Sequence, residues 1–229
     1  MSMFVKIAAL VLTALGAAAA AQAPAESTPM KPLTADERGQ LEAWWNSQPI
    51  VNLPFENNGA RLLLVEFTDL QCPHCRQKYF EIKPILEKYA GRPKEMAFLL
   101  KHWPVSSACN PRVGTLVHPA ACDAAAAVVM ARRKGTADKL VDWFFTHQDE
   151  MTPATVRRDA AAIGNITDFD AQYARALQEV KTDAALGSSL GVTGTPAFFM
   201  NARRVPGGGL APQYFGAVVD LEVARGKQP

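Results

Sequence analysis

Two cysteines placed where a strand gives way to a helix narrow the folds open to this chain more than any other feature. Leu62-Leu63-Leu64-Val65-Glu66-Phe67-Thr68 is an apolar run of strand length, as expected of a strand buried on both faces. Cys72-Pro73-His74-Cys75 follows at once, and then a helical stretch to about Tyr89. Pro73 suits the first turn of a helix, where its missing N–H costs little. Pro84, inside the same stretch, is expected to kink it. The helix start presents unpaired amides and a partial positive charge, which favour a thiolate at the first cysteine. Cys72 is therefore the expected nucleophile, and Cys75, one turn on, is placed to resolve a mixed disulfide. His74, when protonated, adds positive charge near the Cys72 sulfur. With two residues between them the sulfurs close only a tight ring, so the oxidised form is readily reduced.

Two further positions belong with this pair. Glu66 interrupts the apolar strand six residues before Cys72. A carboxyl buried there has its charged form disfavoured and becomes a proton acceptor for the Cys75 thiol, directly or through water. The alternative is an acid on the surface of an edge strand. Thr195-Pro196 opens a later strand, and a proline entering a strand suggests a cis bond facing another element.

Around the site the pattern is strand, helix, strand, a helical block, then strand, strand, helix. Met96–Lys101 is the second buried strand candidate. Helical composition runs from Pro119 to about Leu186, in stretches Ala120–Ala131, Lys139–His147, Pro153–Ile163 and Phe169–Leu186. Thr195–Met200 reads as a third strand, Arg203–Val205 follows it, and Leu210–Glu222 closes as a helix. This is an α/β thioredoxin-like fold with an inserted helical subdomain at about 106–190, within a domain of 49–229. Before it, residues 22–48 form a linker and an N-terminal helix. Thr34-Ala35-Asp36-Glu37 is a capping box, and Leu41, Trp44 and Trp45 form an apolar stripe read as packing rather than a ligand platform. Gly207-Gly208-Gly209 reads as a turn, since no Lys or Ser/Thr-bearing helix start follows to make it a phosphate cradle.

Residues 1–21 read as a secretory signal: Lys6, an apolar run from Ile7 to Leu15, then small residues, with cleavage expected after Ala21. An uncleaved anchor is the alternative. The expected compartment is the periplasm, where disulfides persist. A net charge of +2 from 24 Lys+Arg against 22 Asp+Glu gives no case for nucleic acid or an anionic membrane surface.

Glu66-Phe67, Cys72-Pro73-His74-Cys75 and Gly194-Thr195-Pro196-Ala197 together resemble the DsbA-like thioredoxin-fold thiol:disulfide oxidoreductases. The likeness is closest to the DsbA-like proteins associated with vitamin K epoxide reductase homologues. Lys101-His102-Trp103-Pro104, Ser107–Pro111 and His118–Cys122 add to it, and it covers about residues 34–224. The resemblance implies a cis Pro196 beside the cysteines, a Thr195 backbone that pairs with the substrate chain, and Cys72 as the attacking sulfur. Thr195 stands where enteric DsbA has Val, at a position that tunes redox behaviour, so the direction of catalysis is the open point.

Of the 4 cysteines, pairing Cys72 with Cys75 leaves only Cys109 with Cys122. A structural disulfide pinning the insert's entry to its first helix explains their spacing without a partner. A second redox pair, or a zinc site with His118 and His102, is the alternative. The expected activity is that of an exported oxidase. A substrate thiolate attacks Cys72 of the oxidised pair and Cys75 resolves the mixed disulfide, with no cofactor. The expected partners are cysteine-containing exported polypeptides and a membrane quinone-linked reoxidant of the vitamin K epoxide reductase or DsbB type, the chain itself being a monomer. The alternatives are a reductase or isomerase of the same fold, or a soft-metal carrier using Cys72, His74 and Cys75.

Overall fold

Strand β1 (Leu62–Thr68) is buried along its whole length because it lies inside the sheet. The computed structural model describes residues 32–226. The expected leader, 1–21, and most of the expected linker lie outside the described residues. β2 (Met96–His102) pairs with β1 in parallel, Glu66 opposite Leu100 and Thr68 opposite His102. β3 (Ala197–Met200) pairs with β1 antiparallel, and β4 (Arg203–Val205) extends it, giving the order β2-β1-β3-β4. Glu66 thus stands on an interior strand, 1% exposed, and the edge-strand alternative is excluded.

The pleat sends alternate β1 residues to opposite faces. Leu62 and Leu64 meet Ile82 and Ile85 of α2 (Pro73–Tyr89) and Phe215, Val218 and Val219 of α7 (Pro212–Arg225). Trp45 of α1 (Ala35–Asn46) completes that core, and its indole N–H donates to Glu222 at 2.8 Å. The Thr34–Glu37 capping box is present at the start of α1. Leu63, Val65 and Phe67 face the other way, toward Trp103, Val192 and Ala184. α2 runs through Pro84 as one assigned helix.

Between β2 and β3 lie α3 (Ala121–Arg132), α4 (Ala137–Thr146), α5 (Pro153–Ala162) and α6 (Phe169–Ser189). α3 is buried on every side from Ala121 to Ala131. A helix apolar all round must be enclosed, and its alanines let three neighbours approach at once. α6 touches the sheet at Gly187, where a Cβ would stand 2.8 Å from both the Phe67 and the Trp103 rings. Glycine is required there by proximity.

Most expected boundaries moved by a few residues at most, as frayed helix ends allow. The third strand starts at Ala197, leaving Thr195-Pro196 in the loop before it. Trp103, Phe198 and Phe199 are buried core residues.

Candidate active site

β1 ends at Thr68, and the chain turns through Asp69–Gln71 into α2, with Cys72 as N-cap and Pro73 in the first turn. The turn is closed by the Cys72 N–H donating to the Asp69 carbonyl at 3.1 Å. Cys72 and Cys75 are both free thiols and both buried, Cys75 completely. The Cys72 thiol donates to the Thr195 carbonyl at 3.7 Å across a cis Thr195-Pro196 peptide. The Asp69 N–H donates to the Cys75 sulfur at 3.4 Å.

These contacts split the two thiols. Cys72 is lowered to about 6: the Cys75 thiol donates to its thiolate first, and the Cys75 amide, the Thr195 hydroxyl and the His74 amide add to this against the cost of burial. Cys75 is pushed well above its usual value, by burial first and then by the neighbouring Cys72 thiolate. One sulfur is therefore ionised at neutral pH and the other keeps its proton, which is the division of labour that thiol exchange needs. Glu66 is raised to about 7 by burial, with the Thr68 hydroxyl opposing.

His74 bears on Cys72 through its backbone amide, while its side chain is exposed. The imidazole held by a carboxylate beside the site is His118. Its Nδ1 lies 2.7 Å from Asp69 Oδ2, and its pKa is raised by that bond and, to a lesser degree, by the charges of Asp69 and Cys72. Asp69 is fully buried and also accepts from the N–H groups of Val105 at 2.6 Å and Gln71 at 2.7 Å. Asp69 is not an expected site residue, and His118 is expected only as a ligand of the alternative zinc site. The sequence signals were an acid three residues before Cys72 and a His-Pro step just before α3, neither telling without the other.

The helical block fastens the turn as well. Gln148 donates through Nε2 to the carbonyls of Leu70 at 2.9 Å and Cys72 at 3.0 Å, and Gln71 accepts from the Ala120 N–H at 2.8 Å. An open depression beside α2 is lined by Gln71, Pro73, Arg76, Phe80, His118 and Gln148. Cys109 and Cys122 form a disulfide with Cα atoms 6.0 Å apart, joining the loop after β2 to the first turn of α3. Those sulfurs are thereby removed from any zinc site with His118 and His102. Among the described residues no group of three His, Cys, Asp or Glu side chains could hold a metal ion.

A dithiol with one ionised and one protonated sulfur, at the start of the helix that follows an interior strand, defines a thioredoxin-fold thiol:disulfide oxidoreductase. The chain belongs to the thioredoxin family, whose model matches residues 57–220. Its architecture is similar to that of Wolbachia pipientis alpha-DsbA1, with a TM-score of 0.60 and 18% identity, covering 77% of this chain and 94% of that one. It is also similar to the catalytic domain of Proteus mirabilis ScsC, with a TM-score of 0.54 and 21% identity, covering 81% and 98%. In sequence the chain is 29% identical over 148 residues to the Na(+)/H(+) antiporter NhaA 3 of Salinispora tropica, covering 63% of this chain and 21% of that protein. NhaA 1 of Mycobacterium sp. strain KMS matches at 29% over 153 residues, 65% of this chain and 23% of that protein. The chain thus spans about a fifth of the length of the curated relatives it matches. Among the described residues no helix is long and apolar enough to cross a membrane.

Proposed function

We propose that this chain is an exported oxidant of protein thiols, donating its Cys72–Cys75 disulfide to cysteine-containing polypeptides in the periplasm. The observation that carries the reading is the lowered Cys72 thiol, at about 6, beside a Cys75 that stays protonated. Stabilising the Cys72 thiolate stabilises the reduced protein, which makes the disulfide a better electron acceptor.

The reaction balances as two exchanges. A substrate thiolate attacks Cys72 Sγ, and the Cys72–Cys75 bond breaks, releasing Cys75 as a thiolate that takes up a proton. A second substrate thiolate then attacks the substrate sulfur of the mixed disulfide and Cys72 leaves as a thiolate. Two electrons pass from substrate to protein. Electron counting corrects one expectation: attack by Cys75 on the mixed disulfide regenerates the enzyme disulfide and releases a reduced substrate. That step belongs to the reverse direction, and to reoxidation by the partner, for which a membrane quinone-linked protein of the vitamin K epoxide reductase or DsbB type is proposed. Thr195 and Pro196 are proposed to receive the substrate backbone.

Magnitude sets how strong an oxidant this is. Reference Cys72-type thiols titrate at about 7 in thioredoxin and about 3.5 in DsbA. A Cys72 thiol lowered below thioredoxin's and held above DsbA's places the pair between those two oxidants in strength. The second reading, a reductase or isomerase of the same fold, rests on a Cys72 value closer to thioredoxin's than to DsbA's. Export, and reoxidation coupled to a quinone, would drive the oxidative direction. The soft-metal carrier has no third ligand near the two sulfurs among the described residues.

Titrating the ultraviolet absorbance of the Cys72 thiolate, alongside oxidation of a reduced cysteine-containing peptide, tests the reading. A Cys72 that titrates near 6 and a peptide that becomes oxidised support it; a thiol titrating above 8 with no peptide oxidation overturns it.

A further inference from the structure

Glu66 and Thr68 share the β1 face that α2 covers, and Cys75 enters that face from the first turn of the helix. Thr68 therefore stands one pleat nearer the dithiol than Glu66. Its side chain is fully buried, and its Oγ1 makes no direct hydrogen bond in the reduced protein. Burial removes the water that would otherwise satisfy a hydroxyl, so an uncommitted one is rare in a folded interior. This hydroxyl bears on two groups. Glu66 feels its own burial and then Thr68, and Cys75 feels Thr68 after burial, Cys72 and Thr195. The other ionisable groups turned toward this face are Cys72 and Tyr79 from α2, His102 from β2 and Arg132 from α3. His102 is fully buried and held neutral by burial, then by Arg132 and Lys101, so it is no rival proton acceptor of comparable basicity.

We propose that the Thr68 hydroxyl is the proton relay between Cys75 and Glu66, an inference that rests on the oxidoreductase reading above. When a mixed disulfide at Cys72 collapses, the Cys75 thiol passes its proton to Thr68 Oγ1 while the Thr68 hydroxyl proton passes to a Glu66 carboxylate oxygen. The Cys75 thiolate then attacks Cys72 Sγ. The Cys72–Cys75 bond forms, the bond to the departing sulfur breaks, and that sulfur carries the electron pair away as a thiolate. When substrate opens the disulfide, the same path runs backward and returns a proton to Cys75.

The test mixes reduced protein with oxidised glutathione and quenches with acid, so that formation of the Cys72–glutathione mixed disulfide is separated from its collapse. Thr68→Val keeps the β-branched shape without the hydroxyl, and Thr68→Ser keeps the hydroxyl. The Val variant should form the mixed disulfide at the wild-type rate. Its collapse should slow on the order of a hundredfold, the low end for a positioned proton-transfer group, and lose the inflection near 7 that Glu66 gives the wild type. Ser should restore most of both. Collapse in the Val variant at the wild-type rate, or a Ser variant as slow as Val, overturns the relay. Should Val not fold, the wild type decides through a proton inventory of the collapse step in mixed light and heavy water. A bowed plot marks two protons in flight, and a linear plot overturns the relay. Failure of wild type to form any mixed disulfide would instead sink the oxidoreductase reading itself.

Discussion

Three ionisable side chains within ten residues of chain, Glu66, Cys72 and Cys75, are set apart by different causes. Cys72 is lowered by donors aimed at its sulfur, whereas Cys75 and Glu66 are raised by burial. The stability consequence is clearest for Glu66, which is 1% exposed. Its folded pKa, about 7, lies above its unfolded value of 4.5. The protein is therefore unpenalised below the unfolded value and loses stability as pH rises through about 7. Glu66→Gln, always neutral, should match wild-type stability in acid and exceed it by up to about 3 kcal/mol above neutrality. Chemical denaturation of the reduced proteins on either side of that pH checks this; a variant less stable than wild type in mild alkali would contradict it. The same substitution should slow collapse of the mixed disulfide at Cys72. At this scale the cysteines and Glu66 were legible, because a strand followed at fixed spacing by Cys-Pro-His-Cys fixes where each side chain goes. Asp69, Thr68 and His118 were not. Asp69 and His118 meet only because the loop after β2 folds back across 49 residues of chain, and Thr68 matters only once its hydroxyl is known to be uncommitted.

The elements divide into those that hold the dithiol and those that hold the holders. β1 and α2 carry the residues, and Gln148 and the Ala120 amide, from the helical block, tie down the turn between them. The Cys109–Cys122 disulfide spans 13 residues that include His118, so it restrains the loop that brings the imidazole to Asp69. Replacing both cysteines with serine should cost about 3 kcal/mol, the value for closing a loop of this size. Thermal melting should show it while peptide turnover below the melting range persists. Loss of turnover in a fully folded variant would mean that electrons pass through this pair. Gly187 makes a second element-scale case. Alanine there improves helix propensity by about 1 kcal/mol, yet its methyl would sit 2.8 Å from two buried rings. Overpacking of about 1–3 kcal/mol should win, and Gly187→Ala should melt lower than wild type. A higher melting temperature would show that α6 can move away from β1. The strands and helices were readable from apolar runs and alanine content. What composition could not give was the enclosure of α3 or the close approach at Gly187, since both depend on which helices become neighbours.

Across the described residues, one sheet separates two cores, and the dithiol sits just past the end of β1, against the core of the helical block. That placement gives the site a fully buried thiol, a buried acid and a nucleophile that keeps 6% of its surface exposed. The order of elements was legible because each carries its own pattern, and the α/β thioredoxin-like architecture followed from that order. Redox strength is a different matter, being set by a few donors around one sulfur. The direct measurement is the equilibrium of the Cys72–Cys75 pair with reduced and oxidised glutathione at neutral pH. The pair is expected to exchange in a single two-electron step at a potential more oxidising than thioredoxin's value of about −270 mV. A potential at or below thioredoxin's, or a pair that does not exchange with glutathione at all, would contradict it.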